Sequence, residues 1–338
     1  MLMAIALLAT LSGGTVTFGD WMVVCDNGAR CTATTAGEGP LDVTFVREPG
    51  PDSMLEIELD DNKNVEGRKV TILLGENTTD VEFVSRASLL SPGSLSWQAA
   101  VEPGHQIFDE LRLGDSISLL EKGIDALSVS TDGLEAAFVY MDAMQGRLHN
   151  ESALVVAGDI PAAQVPAAPA LPVITVPPLS ELPPTRLTEA EIARQRATYS
   201  CEREYERTGI GNKIDYVRLD ASHTLALLTI ECMAGATNSS ERVMLVDNAG
   251  KVRLAKIEFG SGSDDEWAEA LPGAYWDDTD QMLVTSGRAS LSCGSSTQFA
   301  WDGEKFRRAK EESWGACDIG PTPSVTTWRA EIRVRHDQ

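Results

Sequence analysis

The chain of 338 residues carries 51 acidic side chains against 28 basic ones, a formal net charge of -23. That field repels nucleic-acid phosphates and anionic lipid surfaces, which excludes nucleic acid as a partner and points to solubility or to a basic partner. The length suits two domains, each able to bury a core of its own. The acidity is uneven, since residues 1–160 hold 25 acidic and 9 basic side chains, net -16.

The opening MLMAIALLATLSGG, residues 1–14, is an apolar run without acids that ends on Ser12, Gly13 and Gly14. It is shorter than the roughly 20 apolar residues that span a bilayer. It reads as a signal peptide, although a basic n-region and an A-x-A site are missing. No transmembrane anchor is expected.

In FGDWMVVCDNGARCTATT, Trp21 precedes Cys25 and Cys31, with turn-forming Asp26, Asn27 and Gly28 between the cysteines. The spacing predicts strand, tight turn and strand, closed by a disulfide. SMLEIELD then alternates Leu55, Ile57 and Leu59 with Glu56, Glu58 and Asp60, the period-2 pattern of a strand with one buried face. RKVTILLG repeats it with Val70, Ile72 and Leu74, and DVEFVS with Val81 and Phe83. A short helix is expected from Gln106 to Leu113, around Ile107 and Leu111. In GLEAAFVYMDAMQGRL the period changes to that of a helix, with Leu134, Ala137, Phe138, Met141 and Leu148 on one stripe and Gly146 near its end. Arg147 follows, where a cation suits the helix dipole.

The segment Pro161–Pro184 has eight prolines in 24 residues. Prolines lack the backbone donor that helix and strand need, so a semi-rigid polyproline spacer is expected there. The domains are accordingly drawn at 15–160 and 185–338. After the spacer, Thr188 and Glu191 stand at capping-box distance and start a helix. HTLALLTIECM has strand length, RVMLVDNAGKVRLAKIEF reads as a hairpin around Asp247 to Gly250, and FAWDGEKFRR as another turning at Asp302-Gly303. TTWRAEIRVR closes with an alternating strand. The expected fold is β-rich (α+β), with two disulfide-stapled domains, each mainly antiparallel β with one or two helices.

Six cysteines occur, Cys25, Cys31, Cys201, Cys232, Cys293 and Cys317. Their gaps lack the repeated C-x-x-C knuckles of zinc sites and the C-x-x-C of thioredoxin-like redox centres, so structural disulfides are the reading. Sequential pairing, 25 to 31, 201 to 232 and 293 to 317, keeps each bridge within one domain. No metal site and no cofactor are expected.

No G-x-S-x-G, H-E-x-x-H, P-loop or G-x-G-x-x-G stands in a suitable context, so no catalytic residue is assigned. His105, His149, His223 and His336 are scattered, and His223 is placed at a strand end rather than in a triad. The acidic runs at Asp60–Asn64, Asp264–Glu266 and Asp277–Asp280 do not match a calcium loop and read as solvated turns. Most of the seven tryptophans, five of them after the spacer, are expected in cores or over sheet edges.

The W-x-x-x-C-D-N-x-x-x-C run from Trp21 to Cys31, GLEAAFVYMDAMQGRL, SCGSSTQFAWDGEKF and TTWRAEI together resemble the DUF1176 family of proteobacterial envelope proteins. The first half is also similar to the invasion-associated locus B (IalB) family, which shares the Trp-Cys opening and the helix ending in QGR. The resemblance implies two β-rich domains in the periplasm, or secretion, from a Gram-negative bacterium, and it transfers no catalytic residue. The function expected is non-enzymatic: a binding or envelope-maintenance protein whose acidic N-terminal domain engages a basic envelope or host protein. The alternatives are a hydrolase of a cell-wall polymer that uses the Asp277 and Asp280 carboxylates, or an inhibitor of a cationic enzyme such as lysozyme. The oligomeric state is left open.

Overall fold

The structure, a computed structural model, describes residues 14–37, 39, 41–61, 70–74, 77–78, 81–87, 95–121, 127–198, 213–230, 239–260, 266–267, 270–290, 293–315 and 322–335. The expected signal peptide lies outside them, apart from Gly14. The protein is predominantly antiparallel β, as its alternating sequence requires, and divides into two compact units. One comprises residues 1–170 with 314–328, the other 171–313 with 329–338.

In the first unit, β1 (Val16–Phe18), β2 (Trp21–Cys25), β3 (Cys31–Thr35), β4 (Leu41–Arg47) and β5 (Leu55–Asp61) run as an antiparallel meander. After β6 (Val70–Leu74) and β7 (Asn77–Thr78), β8 (Val84–Ala87) and β9 (Leu95–Val101) complete the sheet in the order β1-β2-β3-β4-β5-β9-β8. Helix α1 (Ile107–Leu113), β10 (Ser116–Glu121), β11 (Leu127–Ser130) and α2 (Leu134–Met144) follow, and β11-β10-β6-β7 form a smaller sheet. Period-2 alternation places Val43, Phe45, Leu55, Ile57 and Leu59 on one face of the large sheet. There they are buried against Ile107 and Leu111 of α1 and Leu134, Ala137, Phe138 and Met141 of α2.

Several details differ from the sequence reading. The third predicted strand starts at Val84, and Val81 and Phe83 precede it, packing partly on the core. Helix α2 stops at Met144, because Gly146 takes a left-handed φ of 68° that reverses the chain. Leu148 is thereby carried off the apolar stripe and is exposed. Asp60, expected on the solvent face, is buried beside its register partner Ser96.

In the second unit, β12 (Val173–Val176) lies within the proline-rich segment and pairs in parallel with the last strand of the chain, Glu331–Val334. The VITV run is free of proline, so it has every backbone donor that pairing needs, and a spacer conformation does not extend through it. Helix α3 (Glu189–Ala197) starts as its capping box demands, the Thr188 hydroxyl accepting from the Glu191 amide at 3.2 Å. A sheet follows from β13 (Ile214–Arg218), β14 (His223–Thr229), β15 (Ser240–Asp247) and β16 (Val252–Leu254). The other sheet of this unit includes Lys256–Glu258, Met282–Arg288, Gly294–Trp301 and Phe306–Trp314. Leu225, Leu227, Val243 and Leu245 face this second sheet through Ile257, Leu283, Phe299, Trp301 and Phe306. Their neighbours Ala226, Leu228, Met244 and Val246 are buried on the opposite face with Leu187 and with Ile192 of α3. Burial on both faces is why β14 reads as a continuous apolar run rather than an alternating one.

Both hairpin turns form where the sequence puts them. Asp247 Oδ1 accepts the amides of Ala249 and Lys251, and Asp302 Oδ1 those of Glu304 and Lys305, all at 2.8–2.9 Å. Beyond Leu254 the chain leaves the hairpin, and Lys256–Glu258 joins the other sheet. Trp21, Trp97 and Trp301 are buried in cores, whereas Trp276, Trp314 and Trp328 are half-buried.

Candidate functional site

The face of the large first-unit sheet turned away from the core is built from the polar half of each alternating strand. Register aligns Thr44 of β4 with Glu58 of β5, Gln98 of β9 and Val84 of β8, and beside them Val46 with Glu56 and Ala100. Together with Glu82 these side chains line a groove of about 360 Å³. Among the described residues that line it three are glutamates and none is Lys, Arg or His, which gives this lining an anionic character. Gln98 Nε2 donates to Glu58 Oε1 at 3.0 Å and orients that carboxylate. Glu56 lies between apolar Val46 and Ala100 and is exposed, and Val84 is 55% exposed at the rim. Glu56 and Glu58, two residues apart on one strand face, stand about 6.8 Å apart along β5.

At the β2 end the same face is covered. Met22 and Val24, both fully buried, pack with Val325, and the Thr322 hydroxyl reaches the Met22 sulfur at 3.8 Å. Residues 314–328 thus belong to this unit although nearly the whole second unit precedes them in sequence.

Behind β4 lies a buried polar cluster around the end of α2. Arg47 Nη1 donates to Asp142 Oδ1 at 3.1 Å, and Asp142 Oδ2 accepts the Leu154 amide at 2.7 Å. Arg147 is fully buried rather than exposed at the helix terminus. It donates to Gln145 Oε1, Ser152 Oγ, Ser53 Oγ and the Gly50 carbonyl. Gln145 Nε2 donates at 2.9 Å to the carbonyls of Arg47 and of Ala29, the latter in the loop that the Cys25–Cys31 disulfide closes. Burial pushes Arg47 down to about 10, with Arg147 acting the same way and Asp142 opposing, so Arg47 remains cationic at neutral pH. Burial also raises Asp142, with Arg47 pulling the other way. The D-x-x-Q-x-R spacing (Asp142, Gln145, Arg147) is therefore a latch between helix, sheet and disulfide hairpin. Its charged and amide groups bond to one another and to nearby carbonyls, except Arg47 Nε, which is buried without a partner among the described residues.

His223 is the first residue of β14, and its Nδ1 lies 3.0 Å from Asp220 Oδ2. Asp220 also accepts the amides of Ser222 and His223 and the Trp301 indole N–H, the last at 2.7 Å. A carboxylate occupied in this way fixes a turn against the neighbouring sheet. Asp277 Oδ1 accepts the amides of Thr279 and Asp280, which makes it the cap of its own turn. Among the described residues no group of three or more His, Cys, Asp or Glu is arranged to hold a metal ion. No helix among them is long and apolar enough to cross a membrane.

Cys25 and Cys31 are directly opposed on β2 and β3, buried, and joined in a disulfide. Cys293 is buried and also disulfide-bonded, while Cys201, Cys232 and Cys317 lie outside the described residues. The glutamates of the groove were visible in the sequence only as the polar half of an alternation. That Glu82, Val84 and Gln98 stand beside them depends on long-range register, for which the sequence carries no local signal.

These features define a β-rich, disulfide-containing protein of two compact units with an anionic groove on an open sheet face. The chain belongs to the DUF1176 family, described as a protein of unknown function, which it matches over residues 15–335. It is similar to the Escherichia coli (strain K12) protein called "Uncharacterized protein YpfG", 28% identical over 92% of this chain and 91% of that one. No solved structure matches it.

Proposed function

We propose that this protein is a non-catalytic binding protein of the bacterial envelope, and that its first unit engages a basic protein partner through the groove of Glu56, Glu58 and Glu82. The observation that carries the reading is three carboxylates lining one groove with no cationic side chain among the described lining residues. The net charge of -23 adds long-range attraction for a basic partner. An oxidising compartment, periplasmic or extracellular, is supported by the buried Cys25–Cys31 disulfide and by the apolar run at residues 1–14. The resemblance of residues 15–160 to the IalB family belongs to the same reading. The role of Asp277, one of the two carboxylates the hydrolase reading would use, as acceptor of its own turn favours binding over hydrolysis.

The test is calorimetric titration of the full chain with an oligolysine peptide at low and at physiological salt. Affinity falls with salt, and the triple variant Glu56→Gln/Glu58→Gln/Glu82→Gln weakens binding about tenfold, as three exposed ion pairs would. The control Glu102→Gln/Glu135→Gln/Asp159→Asn, which removes the same charge from other exposed positions of the unit, changes it little. Equal losses in the two triples, or no binding at low salt, overturn the groove as the binding site.

A further inference from the structure

We infer that the groove takes its basic partner as an extended segment lying along β5, with Lys or Arg at every second position. This rests on the reading of the groove as a site for a basic protein, and it names the form of the ligand. Glu56 and Glu58 share one face of a strand, and their spacing of about 6.8 Å is also the spacing of alternate side chains in any extended chain. Two cations at i and i+2 of an extended ligand therefore meet the two carboxylates in register. Adjacent cations would point to opposite faces, and only every other one would reach the groove.

The lining between the acids suits this ligand. Val46, Ala100 and Val84 present small or apolar surface on which the methylene stems of Lys and Arg can lie while their charged ends reach the glutamates. At the β2 end of the sheet face Met22 and Val24 are buried against Val325. The groove continues the same face across β4, β5, β9 and β8.

The experiment uses the full chain and three short fluorescent peptides with two lysines each: alternating, at i and i+2 of a serine/threonine background, adjacent at i and i+1 of the same background, or four apart in a helical Ala-rich background. Fluorescence anisotropy is read at low and physiological salt. The alternating peptide binds the wild type about fivefold more tightly than the other two, from two aligned ion pairs. That advantage disappears in Glu56→Gln/Glu58→Gln, whose circular dichroism stays that of the wild type because both positions lie on the outward sheet face. Equal affinity for all three peptides, or an advantage that survives the double substitution, overturns the extended register and leaves the basic-partner reading standing. Absence of binding by every peptide at low salt overturns both.

Discussion

Arg47 Nη1 donates to Asp142 Oδ1 at 3.1 Å, and neither side chain is exposed to solvent. Two buried arginines thus rely on one buried carboxylate, since Asp142 also attracts Arg147. Asp142→Ala leaves both cations without their counter-charge and lowers stability by about 3–5 kcal/mol. Equilibrium urea denaturation of the full chain shows this as a lower midpoint for the first unit. Arg47→Met combined with Asp142→Leu removes charge from both sides and costs less than Asp142→Ala alone.

The Cys25–Cys31 bridge closes a loop with a sequence separation of 6, so its entropic contribution is near the lower end, about 2 kcal/mol. Cys25→Ser/Cys31→Ser lowers the urea midpoint correspondingly and leaves the strand content unchanged by circular dichroism. Non-reducing peptide mapping of the full chain yields the 25–31 pair. On the sequential pairing it also yields 201–232 and 293–317, and any other partner for Cys293 refutes that pairing.

Gly133 and Gly250 both adopt a left-handed φ, of 88° and 79°, in different surroundings. A Cβ on Gly133 would lie 2.1 Å from the Phe18 carbonyl oxygen, whereas one on Gly250 meets nothing within 4 Å. Gly250→Ala therefore costs about 1 kcal/mol of backbone strain. Gly133→Ala adds a backbone collision and costs several times more. Thermal unfolding of the two variants gives the comparison, and equal shifts would contradict the close approach of the α2 start to β1.

For Asp220, burial is the largest influence and raises its pKa, but hydrogen bonds from Trp301, the Ser222 amide and His223 together outweigh it and leave the pKa lowered. A carboxyl whose folded pKa lies below its unfolded value, about 3.9, stabilises fully above that value and loses its contribution as pH falls through the folded pKa. Stability of the wild type therefore declines on acidification below about pH 4 more steeply than that of Asp220→Asn. Urea midpoints measured through that acid range test it, and parallel slopes would remove Asp220 as a contributor.

The sequence by itself determined the local elements, because each is dictated by short-range physics. Leu55, Ile57 and Leu59 alternate with acids and form a half-buried strand, Thr188 and Glu191 cap a helix, and Asp302-Gly303 turns a hairpin. The Cys25–Cys31 staple was equally legible, since two cysteines flanking a tight turn are brought opposite each other by the hairpin itself. The tertiary structure alone decided which surfaces these elements share. Arg147 looked like a helix-terminal cation and is buried in a latch, because the loops that carry Ser53 and Ser152 fold around it. VITV looked like spacer and pairs with Glu331–Val334, a strand more than 150 residues further along the chain. The groove follows the same rule. Alternation puts Glu56 and Glu58 on the outward face, whereas only the pairing of β5 with β9 and of β9 with β8 brings Gln98 and Val84 beside them, and pairing between distant strands leaves no trace in local periodicity.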